Sequence, residues 1–245
     1  AVAGTAFAGA AIANELALRD RSTPPAASRF GPTDAGAELP ACDGALSAGP
    51  TARLIAHLRG QIDGRAIGSV DVSGLRVGTN FRWLAYVATD RELGQYGAAS
   101  FGGRAWTRTP GGGWAQADVE SVREQTLDLQ AVRTTLARVS RSTAEDRGIE
   151  VIEGARARRC RVAVEGETFR AAFPQIGWLV GEADLGRWRG QLDYWVFVDG
   201  QLGQVAGSVN GEAGAIQPEA IQATIEVFLT ATERGAGLVI YPPAP

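Results

Sequence analysis

From residue 51 to about residue 114, apolar and polar positions alternate one by one, the period of strands that bury a single face. Leu54, Ala56, Leu58 and Ile62 alternate with Arg53, His57, Arg59 and Gln61, and the run breaks at Asp63-Gly64. An Asp-Gly pair between two such segments is a strong hairpin signal, because a two-residue turn needs positive φ at both positions. A returning strand is predicted through Ile67, Val70 and Val72, then aromatic-rich strands through Phe81, Trp83, Tyr86 and Val87. The stretch SFGGRAWTRTPGGGWAQ predicts a further hairpin turning at 110–113. The pattern is an antiparallel meander, since no helix-length crossovers separate these strands.

The period then changes. Val119, Val122, Leu129, Val132, Leu136 and Val139 recur at intervals of three and four, which predicts one amphipathic helix over 119–139 with Asp118 as its cap. After it, GIEVIEGARARRCRVAVEGETFRAAF returns to strand character, with turns at Glu153-Gly154 and Glu165-Gly166. Residues 173–188 are ambiguous, with a short helix expected around 177–184. QLDYWVFVDGQLGQVAGSVN, AIQATIEVFLTATE and GLVIYPP read as three or four more strands. The expected fold class is therefore α+β, with about nine to eleven antiparallel strands. Right-handed twist makes so wide a sheet curl, giving a strongly curved antiparallel sheet with a concave face. One or two helices, the mid-chain helix above all, are expected to cover its concave face.

Upstream of this region the pattern disappears. Residues 1–18, AVAGTAFAGAAIANELAL, form a small-residue apolar run that resembles the tail of a signal peptide or a signal anchor. The run is too short and too polar to cross a bilayer alone, and an amphipathic helix docked on the domain is the other reading. Residues 21–50 are rich in Pro, Ala, Gly and Ser, a composition expected to form an extended tether. The expected organisation is an apolar segment at 1–20, a linker at 21–50 and one folded domain at 51–245. An extracytoplasmic location follows as the expectation, with residues 1–18 as the means of anchoring.

Composition narrows the function. The 245 residues are 45% apolar and 21% charged, enough for one sizeable core. All 24 basic residues are Arg, scattered among Asp and Glu at a formal net charge of −3. Nucleic-acid binding calls for a concentrated basic face, and none is visible. Cys42 and Cys160 either pair across a long loop in an oxidising compartment or remain two free buried thiols. No CxxC motif or Cys/His cluster occurs, so no metal or redox cofactor is expected.

Catalytic patterns are equally sparse. His57 is the single histidine and falls inside a predicted strand, away from any nucleophile elbow. GAASFGG lacks the GxSxG order that exposes a serine nucleophile, and the glycines at 111–113 are not followed by a Lys-Ser/Thr helix start. The acidic pairs Glu145-Asp146 and Glu182/Asp184 are ordinary for surface loops. No enzymatic activity is expected.

Four local patterns in one order resemble the LolA-like superfamily, and most of all its LppX/LprG-type lipoproteins. They are GGRAWTRTPGGGWAQ, the amphipathic helix after it, GIEVIEGARARRCRVAV, and LDYWVFVDGQLGQVAGSV finished by GLVIYPP. Together they span about 51–245. The resemblance implies a half-open barrel with helices over its mouth and an apolar cavity for acyl chains of lipids or lipoproteins. Its expected partners are a lipid or acylated ligand and a membrane surface, while no motif identifies a membrane-protein partner. The lipobox cysteine of such lipoproteins is absent, which leaves residues 1–18 as the expected anchor.

Given such a cavity, the helix face of Val122, Leu129, Val132 and Leu136 is expected to line it. Trp178, Leu179 and Val180 lie in the irregular stretch expected at the cavity mouth, where an aromatic-aliphatic loop can touch a ligand chain or a membrane. The competing expectation is a membrane-tethered scaffold or sensor of the same fold. In that case bulky side chains, the six Trp among them, fill the hollow.

Overall fold

A computed structural model describes residues 37–243, except 48, 121, 123–126, 217, 218, 220 and 235. The expected apolar segment at 1–20 and most of the expected linker lie outside the described residues. Eleven strands are present among the described residues: β1 (Thr51–Ile62), β2 (Arg65–Val77), β3 (Asn80–Thr89), β4 (Leu93–Phe101), β5 (Arg104–Arg108) and β6 (Trp114–Ala117), then β7 (Glu145–Ile152), β8 (Ala155–Glu165), β9 (Arg189–Phe197), β10 (Leu202–Glu212) and β11 (Gln222–Thr232). They form one antiparallel, curved and unclosed sheet in the order β6-β5-β4-β3-β2-β1-β11-β10-β9-β8-β7. β6 and β7, consecutive in the chain, are the two open edges. The connection between them carries α1 (Leu129–Thr143).

Strict alternation makes β1. Ala52, Leu54, Ala56, Leu58 and Ile62 are buried on one face, and Ile55, His57 and Arg59 are exposed on the other. β11 repeats the pattern with Ala223, Ile225, Val227, Leu229 and Ala231 inward. The hairpin to β2 turns on Asp63 and Gly64 at φ 47° and 76°, and the hairpin from β7 to β8 on Glu153 and Gly154 at φ 51° and 79°. Positive φ at both central residues matches the right-handed twist of the flanking strands.

Three stretches after β6 depart from expectation. Residues 119, 120 and 122 are helical, and an Asp118 side-chain oxygen accepts from the Glu120 amide at 3.0 Å. However, residues 127 and 128 are not helical, and α1 starts anew at Leu129. Asp128 adopts extended backbone and accepts from the Gln130 amide, so a second cap divides the predicted helix, and α1 runs past residue 139 to Thr143. GETFRAAF, expected as strand, instead begins with helix α2 (Gly166–Ala172), which buries Phe169 and Ala172 on one face with Phe173 following. A 3₁₀ turn (Pro174–Ile176) then leads into α3 (Gly177–Val180), at the start of the expected short helix. Residues 236–243, expected to hold a final strand, have none.

All three helices contribute to one apolar cluster on the concave face. Leu129, Val132 and Leu136 of α1, Phe169 of α2, and Leu179 and Val180 of α3 join the inward rows of the strands. A smaller cluster of Ala155, Ala157, Trp195 and Phe197 lies apart from it.

Residues 39–46 depart from the expected tether. Leu39, Cys42 and Leu46 are buried, and Cys42 is disulfide-bonded to Cys160 of β8. The Arg133 guanidinium of α1 donates to the Leu46 carbonyl at 2.6 Å, and Ser47 bridges to Gln201. Two buried leucines and one covalent link through Cys42 hold a stretch whose overall composition otherwise favours an extended chain.

Candidate functional site

The inward rows of β2 and β3 lead to a cleft of about 240 Å³ beside the start of α1. Its apolar walls include Leu54, Val72, Phe81, Trp83 and Leu127, and its polar groups include Arg76, Asp128 and Gln130, while Leu75 and Arg82 border it from the alternate row of the strands. Gly74 pairs with Trp83, and a Cβ at Gly74 would stand 2.7 Å from the Trp83 Cβ. The glycine therefore leaves the indole room against the sheet.

An ion pair joins sheet to helix at this cleft. Arg76 Nη1 lies 3.3 Å from Asp128 Oδ1, and its Nε donates to the Gly78 carbonyl at 3.2 Å. The same Asp128 oxygen accepts from the Gln130 amide at 2.9 Å, so one carboxylate both caps α1 and faces the arginine. Register places Arg76 between Ala52 and Phe81, on the inward-facing row of the sheet. Arg82 takes a different partner, with its guanidinium 5.4 Å from the centre of the Trp114 ring.

Beside the cleft the concavity is occupied. Trp178 of α3 meets Trp83 edge-on at 6.3 Å between ring centres and Tyr96 at 5.3 Å. A Cβ on Gly60 would stand 3.6 Å from Leu179 Cβ, so α3 lies directly on β1. The stretch expected at the cavity mouth thus packs against the inward row of β1, β3 and β4. Val122, Leu129, Val132, Leu136, Leu179 and Val180 are buried in the main cluster, and Trp178 is half-buried against it. None of these seven is among the residues that line the cleft. Its walls come from β1–β3 and from Leu127, Asp128 and Gln130, and the capping tendency of Asp128 was the local sequence signal available for them.

The other polar constellations serve the outward face. His57 Nδ1 lies 2.6 Å from Asp71 Oδ1, both half-exposed and on the side of β1 and β2 opposite the cleft. On β7–β9, Arg161 Nε is 2.6 Å from Asp193 Oδ1, and Arg159 spans Asp193 and Glu150. The Trp195 indole donates to Glu150 at 2.8 Å and lies against the Arg159 guanidinium. Arg161 first, with Arg159 beside it, holds the Asp193 carboxyl below the usual carboxylate range against the opposing cost of burial. The Trp195 bond, then Arg159, does the same for Glu150. These groups satisfy one another, as expected of a structural lattice. Among the described residues no cluster of three or more His, Cys, Asp or Glu is arranged to hold a metal ion. No helix among them is long and apolar enough to cross a membrane.

No family model matches the chain, and no curated protein does. Solved structures resemble it in fold. LprF from Mycobacterium bovis is 14% identical, with 80% of this chain and 90% of that one covered at a TM-score of 0.49. Lipoprotein LppX from Mycobacterium tuberculosis is 13% identical, with 79% and 90% covered at 0.41. A LolA superfamily protein from Nitrosomonas europaea is 10% identical, with 82% and 91% covered at 0.26.

Proposed function

We propose that this chain is an extracytoplasmic, non-enzymatic binding protein that takes up the acyl part of a lipid or acylated ligand on its concave face. The observation that carries this reading is the cleft at β2, β3 and the start of α1, with apolar walls and charged groups beside them. Each methylene buried there contributes about 0.8 kcal/mol, so a chain of modest length binds without any specific hydrogen bond. The Cys42–Cys160 bond supports an oxidising compartment. In this reading residues 1–18 supply the association with a membrane. Native mass spectrometry of the purified chain, followed by organic extraction, tests the proposal. Near-stoichiometric bound lipid is expected; a clean apo mass with no uptake of a fluorescent fatty acid would overturn it.

A second reading is favoured by the aromatic plug. Trp178 against Trp83 and Tyr96, with the tilted rings of Phe169 and Phe173 5.2 Å apart, fills concave space that a carrier of several chains would leave open. A tethered scaffold or sensor with a filled interior has this arrangement, and the apo outcome of the same experiment selects it.

A further inference from the structure

Resting on the ligand-binding reading above, we infer that the cleft selects single-chain amphiphiles with an anionic head group, and that Arg76 reads the charge in competition with Asp128. Size sets the first half. At about 240 Å³ the cleft is smaller than the roughly 300–1,000 Å³ typical of sites for drug-sized ligands, and it suits a segment of one chain. The plug of Trp178 on Trp83 and Tyr96 bounds the neighbouring concave space.

Charge sets the second half. Arg76 is on an inward row between Ala52 and Phe81, with its side chain 23% exposed. This is how a long basic side chain covers apolar surface with its stem and keeps its head toward water. At 3.3 Å, its contact with Asp128 is longer than the 2.7–2.9 Å of a strong charge-assisted bond. Asp128 needs its oxygen for the Gln130 amide whether or not Arg76 stays. A carboxylate or phosphate whose chain lies against Phe81 and Trp83 arrives beside the guanidinium. It can then take over the contact while α1 keeps its cap.

The test uses the full chain and three probes below their micelle concentrations: hexadecanoate, hexadecyl phosphate and hexadecanol. Dipalmitoyl phosphatidic acid serves as a two-chain control. The wild-type protein is expected to bind the two anions roughly tenfold more tightly than the alcohol, the scale of one charged hydrogen bond. The two anions distinguish a free fatty acid from a phosphate-bearing lipid as the preferred source. Arg76→Gln is expected to bring the anion-to-alcohol ratio near one, while Arg76→Lys preserves it. Asp128→Asn keeps a good helix cap and removes the competing charge, so it is expected to raise the ratio several-fold. A ratio unchanged in Arg76→Gln, a lowered ratio in Asp128→Asn, or equal binding of the two-chain lipid would each overturn the inference. If Arg76→Gln does not fold, Arg76→Lys and Asp128→Asn decide. Failure of every probe to bind, hexadecanol included, would refute the ligand-binding reading itself.

Discussion

The phenol of Tyr194 donates a 2.6 Å hydrogen bond to the carbonyl oxygen of Cys42, 152 positions away in the chain. Tyr194 is fully buried, and burial pushes its ionisation above the ordinary tyrosine value. Tyr194→Phe strands the Cys42 carbonyl and is expected to cost about 1–3 kcal/mol in denaturant melts. The pH dependence has a definite sign. Because the folded-state pKa is raised, the stabilisation is complete below the unfolded value near pH 10 and is lost as pH rises through the folded one. The Phe variant should show the shallower alkaline decline.

Cys42 and Cys160 close a loop over a sequence separation of 118. Loop-closure entropy for such a length gives about 4–5 kcal/mol, with measured disulfides more often at 2–4. Guanidinium unfolding of the oxidised protein and of the Cys42→Ser/Cys160→Ser variant should differ by an amount in that range. Equal midpoints would show that Leu39 and Leu46 hold the segment without the covalent link.

Asp193 sits between Arg161 and Arg159, which keep its carboxyl below its unfolded pKa. Its contribution is therefore present above the unfolded pKa and lost as pH falls through the folded value. Acid unfolding followed by far-ultraviolet circular dichroism should start at higher pH in wild type than the intrinsic fold requires. Asp193→Asn should flatten that acid limb while lowering stability at neutral pH, because two guanidinium groups lose their shared anion.

Trp178→Ala removes the plug from Trp83 and Tyr96. Loss of a half-buried indole is expected to cost about 2–4 kcal/mol, near the low end for large-to-small changes. The same variant separates the two functional readings. Binding of longer fatty acids should improve if the concave face receives acyl chains, and only stability should fall if the face is permanently filled.

Much of the sheet was legible because its signal is local. Alternation in β1 and the turn pairs Asp63-Gly64 and Glu153-Gly154 need no knowledge of distant neighbours. The short run around Phe169 and Phe173 satisfies a strand or a helix equally well, and tertiary contacts decided for helix. The break at Asp128 was hidden because the apolar spacing of Val122, Leu129 and Val132 continues across it. The cleft was less visible still. That Arg76 shares the inward row with Ala52 and Phe81 follows from pairing register, which a shift of one residue would reverse.

The adjacency of β1 and β11 also bears on how the chain reaches its fold. Strands β1 to β5 each pair with the next strand and can zip together during synthesis, and β7 to β10 can do likewise. Within the sheet the two groups join along one seam, running from Arg53 opposite Thr232 to Ile62 opposite Ala223, between β1 and β11, the first and last strands among the described residues. So distant a pairing bears a large closure entropy and is slow to form. A chain stopped before Gln222 would consequently be split at its centre, with Leu54, Ala56 and Leu58 beside an open edge prone to aggregation.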